Sequence, residues 1–424
     1  GQRIDAEPIV VEKEIPMENA VVDTKVVFFV NAPENIPVER RVRETFPIRN
    51  YVFFNKGSTK IPNRYTLLKK DQVKDFKEDQ LEVFKPKKLS GRSERQMIAY
   101  YNILNILGDR MQKKPTTAIK LEGSSEKGIV DGKQMAESVK EYLVSVFGIE
   151  ASRIKTEGLD KPKNPSEKVG GTKELDLLRE GDRRVTIETT SPTLLMEFQS
   201  GSDAPLAPVE IVALQEPPLD SYVSFKVQGW KENFTSWSLE IKDDKGKTQH
   251  YGPYYEEKVS VPGKSIMGTT PQGDYKVKMI GTTKTGESIS REASVHMVLW
   301  TPPKDEEGIR YSVLFDFNKS KVTSTYEKYL TDIVTRKIPN GGTVIIRGYA
   351  DIIGEEVSNQ NLSTSRANDV KAIIEKSLAG ANRSDVKFEV YGLGENEKVA
   401  QFENKFPEQR FYNRSAVIDI IPKK

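Results

Sequence analysis

Cysteine is absent from all 424 residues. That excludes disulfides, thiolate metal sites and cysteine nucleophiles, and fits a reducing or an oxidising compartment equally well. Histidine is nearly absent: His250 and His296 are the two present, both in strand-like sequence, and are expected to be ordinary strand residues rather than a metal pair. No run of 18 apolar residues occurs, so no transmembrane helix is expected. The formal net charge is only +3, without the concentrated basic patch of a nucleic-acid binder. No Ser/His/Asp grouping lies in a recognisable frame and no metal-ligand cluster is visible, so no catalytic residue, metal or cofactor is expected. "GLGENE" and "GGTKEL" lack the lysine and frame of a phosphate loop. The acidic pairs Glu256-Glu257 and Glu355-Glu356 read as solvated faces.

What is present is a charge-rich, globular composition, 30% charged and 36% hydrophobic, long enough for two to four domains. The chain starts without methionine or a signal peptide, which reads as a mature or trimmed start. Proline-rich joints at 200–210, 215–221 and 300–308 read as linkers. They divide the chain into a lead (1–45) with one strand in "NAVVDTKVVFFVNAP", a block at 46–192, a block at 205–300 and a block at 305–424. Block 205–300 has short alternating runs such as "YVSFKVQGW" and "GDYKVKMIGTT", with a hairpin turn at "DDKGK", and predicts an all-β sandwich. Trp230, Trp237, Tyr275 and Trp300 are its candidate core aromatics. It resembles the immunoglobulin-like modules that act as spacers in bacterial surface and flagellar-hook proteins.

Block 305–424 reads strand, helix, strand, helix, strand, strand, a mixed sheet with helices on one face. Its first helix is amphipathic, with Tyr326, Leu330 and Ile333 on one side. Block 46–192 repeats the order: "NYVFFNKGSTKIP" parallels "YSVLFDFNKSKVT", "TAIKLEGSSEKG" parallels "GTVIIRGYADIIG", and "GDRRVTIET" parallels "YNRSAVIDI". The first copy carries an insertion near 69–92. The fold class is therefore α+β: two βαβαββ domains separated by an all-β sandwich.

In the second copy, Leu362, Arg366, Val370 and Ile374 follow at four-residue steps on one helix face, so an arginine sits among core positions. Aligning Ala136 with Ala367 and Val139 with Val370 puts Met135 at the place of Arg366. The first copy's face is then apolar throughout, with Met135, Val139, Tyr142, Leu143 and Val146. Its strand-to-helix connection is about five residues shorter, and Asp351 is matched by Glu126 or Ser125 according to the gap. A guanidinium drawn out of water needs a partner. Asp351, at the end of the preceding strand, is the obvious one. Either the two form a structural ion pair, or they stand apart and grip a zwitterion, aspartate on its ammonium and arginine on its carboxylate.

"GYADIIGEEVSNQNLSTSRANDV" resembles the signature of the OmpA-like C-terminal domain, the peptidoglycan-associating module of bacterial envelope proteins. Asp351, Gly354, Asn359, Leu362, Ser363, Arg366, Ala367 and Val370 fill the places of that pattern, and "FDFNKS" and "NR" match its flanking strands. The resemblance implies that Asp351 and Arg366 hold the diaminopimelate of the peptidoglycan stem peptide, with Asn359 and Asn318 as supporting hydrogen-bond partners, Leu362 packed beneath and Arg414 nearby. Ser415 stands where a second arginine is frequent, and Ala350 where a threonine is common. The first copy, without the arginine, is expected not to bind. The function implied is a non-enzymatic periplasmic tether, joining an outer-membrane protein or envelope complex, through the N-terminal half, to the cell wall of a Gram-negative bacterium. The alternative is a structural subunit of a larger secretion or gliding machine in which wall binding is secondary.

Overall fold

Alternation in the lead puts Phe28 and Val30 on one face, and both are buried in β1 (Val27–Asn31). The computed structural model describes residues 15–16, 26–78, 92–167, 174–194, 206–303, 306–397 and 400–422. It adds three strands to the lead where one was expected, the short Ile15–Pro16, β2 (Asn35–Pro37) and β3 (Arg40–Ile48), and β3 crosses the expected boundary at residue 45.

The first half continues with β4 (Tyr51–Phe53), α1 (Arg92–Tyr101), α2 (Ile103–Lys113), β5 (Ile119–Ser124), α3 (Ile129–Phe147), β6 (Ile154–Leu159), α4 (Leu175–Asp182) and β7 (Arg184–Thr189). Of the expected insertion, residues 79–91 lie outside the described residues, and Lys70–Asp75 form a 3₁₀ turn. The joint at 200–210 is no linker in its described part, because β8 (Leu206–Gln215) begins there.

The all-β block supplies β9 (Tyr222–Gln228), β10 (Phe234–Lys242), β11 (Thr248–Tyr254), β12 (Lys258–Pro262), β13 (Gln272–Thr283) and β14 (Ser288–Trp300). One sheet runs Ile15–Pro16, β1, β9, β12, and the other β11, β10, β13, β14, β2; both contribute to one core. Trp237 and Tyr275 are buried there, whereas Trp230 and Trp300 are half-buried. The turn at 243–247 closes the β10–β11 hairpin, with Asp243 N–H donating to Lys247 O. His250 and His296 lie on β11 and β14.

The second half contains β15 (Gly308–Leu314), α5 (Ser324–Tyr329), β16 (Thr343–Gly348), α6 (Glu356–Gly380), β17 (Lys387–Gly392), α7 (Pro407–Asn413) and β18 (Ser415–Ile421). Tyr326 and Leu330 are buried and Ile333 packs partly against the same core, as the amphipathic face required. Helix α7 was not read from the sequence. The sheet order is β17-β16-β18-β15-β3-β8, with β3 parallel to β15. In the first half it is β4-β7-β5-β6. Both halves share one connectivity: the last strand pairs antiparallel with the first and with the second, and the second pairs parallel with the third.

The described chain forms two compact units. One contains Val42–Ala213 with Gly308–Lys424, and the other contains the described part of Ala6–Arg41 with Leu214–Glu307. The blocks at 46–192 and 305–424, apart in sequence, thus belong to one unit with a common core. Helix α7 joins them. Tyr412 stacks on Phe46 at 4.8 Å, Phe411 meets Tyr51 edge-on at 5.4 Å, and Arg410 pairs with Glu180 at 2.6 Å.

Candidate functional site

The site is built on a near-contact of two backbones. A Cβ on Gly348, at the end of β16, would lie 1.9 Å from the Ser363 carbonyl oxygen of α6. Only glycine lets strand and helix approach so closely. Gly348→Ala is expected to destabilise this unit by about 3 kcal/mol or more, or to prevent folding. A denaturant titration checks this, and a change below about 1 kcal/mol would contradict the close packing. One turn after Ser363, the helix delivers Arg366 to the strand's end.

Arg366 is 1% exposed. Its Nε donates to Lys319 O at 2.8 Å, Nη1 to Tyr349 O at 2.8 Å and Nη2 to Asp316 O at 3.4 Å, and the guanidinium lies 5.1 Å from the Phe315 ring centre. All three acceptors are neutral carbonyls. Burial pushes the guanidinium down to about 9; Asp351 opposes that shift and Arg414 adds to it.

Asp351 is buried too, but its ion-pair partner is Arg414, whose Nε donates to Oδ2 at 2.6 Å. Its Oδ1 accepts from Ile353 N–H at 3.3 Å. The expected structural ion pair between Asp351 and Arg366 therefore does not form. An open cleft between them does not form either, because both side chains are covered by protein. Arg414 is 2% exposed, packs over Phe411 at 4.3 Å, and has a buried Nη1 without a hydrogen-bond partner. Two buried guanidiniums thus share one buried carboxylate. Asp316, half-exposed, is the further acid near Arg366.

The supporting residues differ from expectation. Asn359 directs its amide nitrogen at Asp351 O (3.1 Å), Ile353 O (3.2 Å) and the Glu395 carboxylate, so it clamps the loop after Asp351 and has no free N–H for a ligand. Asn318 is exposed, with φ +54°. Leu362 is half-buried, unlike Val370 and Ile374, which are fully buried below it on the helix. Glu395 and the three carbonyls around Arg366 escaped sequence reading, because nothing in their local pattern marks them.

Strand register allows the first half to be compared with the second. Gly123 lies opposite Val185 as Gly348 lies opposite Ala416, so Arg183 matches Arg414 and Glu126, rather than Ser125, matches Asp351. A Cβ on Gly123 would meet Gly132 O at 1.8 Å, which equates Gly132 with Ser363 and Met135 with Arg366. Arg183 gives Glu126 three bonds, from Nε at 2.9 and 3.2 Å and from Nη2, and Met135, on α3, is buried. There one cation meets one carboxylate in a forked pair, and burial involves no surplus charge.

Among the described residues, no group of three or more His, Cys, Asp or Glu is placed to hold a metal, and no helix is long and apolar enough to cross a membrane.

Residues 314–414 match the OmpA family model. Outer membrane protein A of Serratia marcescens is 31% identical over 94 residues, which is 22% of this chain and 25% of that protein; the chain thus spans about a quarter of the curated relative it matches. Among solved structures, the peptidoglycan-associated lipoprotein from Burkholderia pseudomallei shares 25% identity over 26% of this chain and 87% of its own, with a TM-score of 0.21. The cell wall anchor of the T6SS from Pseudomonas aeruginosa shares 18% identity over 35% of this chain and 82% of its own, with a TM-score of 0.20.

Proposed function

We propose that this chain is a non-enzymatic periplasmic tether whose C-terminal domain grips the diaminopimelate of peptidoglycan. The observation that carries the reading is the charge imbalance: Arg366 and Arg414 are buried around one carboxylate, and Arg414 Nη1 is unpartnered. A buried cation without a counter-ion costs several kcal/mol. A ligand carboxylate supplies what is missing, and Asp351 supplies the acceptor for an ammonium on the same ligand. An amino-acid-like end carries both charges. At the matching place the first half pairs Arg183 one to one with Glu126, which supports reading it as a degenerate copy that binds no diaminopimelate. The sandwich is read as a spacer, and the N-terminal half as the side facing an outer-membrane protein or envelope complex.

Sedimentation of the full chain with purified sacculi tests the reading. Diaminopimelate-type sacculi should retain it with a single-site affinity between about 1 µM and 1 mM, strengthened by avidity on the polymer. Lysine-type sacculi, which lack the second amino-acid end, should retain little. Equal retention on both, or none on either, overturns the assignment.

A further inference from the structure

The closed state of the site raises the question of what holds it shut. Asp351 and Arg366 are 4% and 1% exposed, so no ligand reaches them while the loop between Asp351 and Glu355 stays in place. Inside, the loop is held by Asn359. Its outer hold comes from the other half of the unit: the Gly354 N–H donates to Glu174 Oε2 at 2.8 Å. Gly354 has φ +119°, a conformation that side-chain-bearing residues avoid, and its exposed N–H has the Glu174 carboxylate as its acceptor.

Glu174 is well placed for this. It has φ +54°, uncommon for a glutamate, and immediately precedes α4. Helix α4 is itself fastened to the second half. Glu180 pairs with Arg410 at 2.6 Å, and a Cβ on Gly181 would touch the Phe411 ring at 3.4 Å. Arg410 and Phe411 belong to α7, the helix that ends at Arg414. The carboxylate on Gly354 is therefore carried on a braced element, and the brace runs to the same arginine that holds Asp351.

We infer that Glu174 is the latch of the binding loop: the first half, though not itself a binding site, gates access to the site in the second half by holding Gly354 with a carboxylate. This rests on the reading of the second-half site as a ligand site. Glu174 is a positioning residue, acting through Gly354 rather than on the ligand. Opening the loop costs the bond to Glu174, and a ligand that binds only the open loop has its apparent affinity lowered by the open fraction.

The test uses the full chain and Glu174→Ala, read by hydrogen exchange over 350–356 and by calorimetric titration with free meso-diaminopimelate. Exchange at the Gly354 amide should quicken and affinity should rise about two- to tenfold, the span of one lost hydrogen bond. Unchanged exchange overturns the latch. Quicker exchange with weaker binding overturns it as well, because Glu174 would then be a ligand contact. If exchange quickens and neither protein binds, the ligand assignment fails and the gate with it, an outcome distinct from unchanged exchange. Asp176→Ala, an exposed carboxylate in the first turn of α4, is the control expected to alter neither readout.

Discussion

Arg366→Met is expected to remove retention on diaminopimelate-type sacculi, with affinity falling by about 30-fold or more, while the protein stays folded. The loss follows from deleting a desolvated cation that faces a ligand carboxylate, a change that ordinarily costs 2 kcal/mol or more. Survival of the fold follows from the first half, where Met135 occupies the matching place and is fully buried. Methionine leaves the carbonyls of Lys319, Tyr349 and Asp316 without their donor, which destabilises. It also removes the desolvation of a charge. Because burial holds the folded-state pKa near 9, below the unfolded value, the charged guanidinium disfavours folding at every pH below about 9, and that cost fades as pH rises through it. The two effects oppose, and the net change should stay within about 2 kcal/mol. Sedimentation and thermal melting together check this; full retention by a folded Arg366→Met protein would show that the arginine is a structural group only.

Glu408→Ala is expected to be the most damaging substitution at the junction of the halves. Glu408 is 0% exposed, accepts from Arg64 Nε at 2.5 Å and from the Tyr101 hydroxyl at 3.0 Å, and belongs to α7, whereas both donors belong to the first half. Removing it leaves a guanidinium that is largely buried between Phe406 and Tyr65 without its counter-ion, with Asn55 Oδ1 and Phe53 O as its remaining acceptors. Breaking a buried pair on one side costs about 3–5 kcal/mol. Arg64→Ala in the same protein should recover part of the loss, and a double-mutant cycle should give a coupling above about 1 kcal/mol. Additive effects would show that the pair contributes little to joining the halves.

What the sequence showed and what it concealed have separate physical causes. The four-residue spacing of Leu362, Arg366, Val370 and Ile374 declared a buried helix face; the last three are buried and Leu362 is half-buried. The partner of Asp351 was not legible. Two arginines, both later in the chain than Asp351, converge on the strand end, and spacing says nothing about which is nearer; Arg414 wins because β18 lies beside β16. The choice between Glu126 and Ser125 depended on a gap that only strand register could place. Strand β3 was hidden because its buried face carries Arg40 and Glu44, which look solvent-facing until their partners Asp220 and Gln96 are brought in from far along the chain. At seven residues, α7 is too short to show a helical period.

The parallel pairing of β3 with β15 has a consequence for the proposed wall-binding part when it is taken alone. A fragment cut at residue 305 leaves β3 behind and bares the row of N–H and C=O groups along Gly308–Tyr311 that β3 satisfies. An unpaired edge of that kind recruits strands from neighbouring copies. Truncated proteins would then clump on sacculi and imitate tight binding, so a minimal wall-binding module needs its own N-terminal strand grafted back before its avidity means anything.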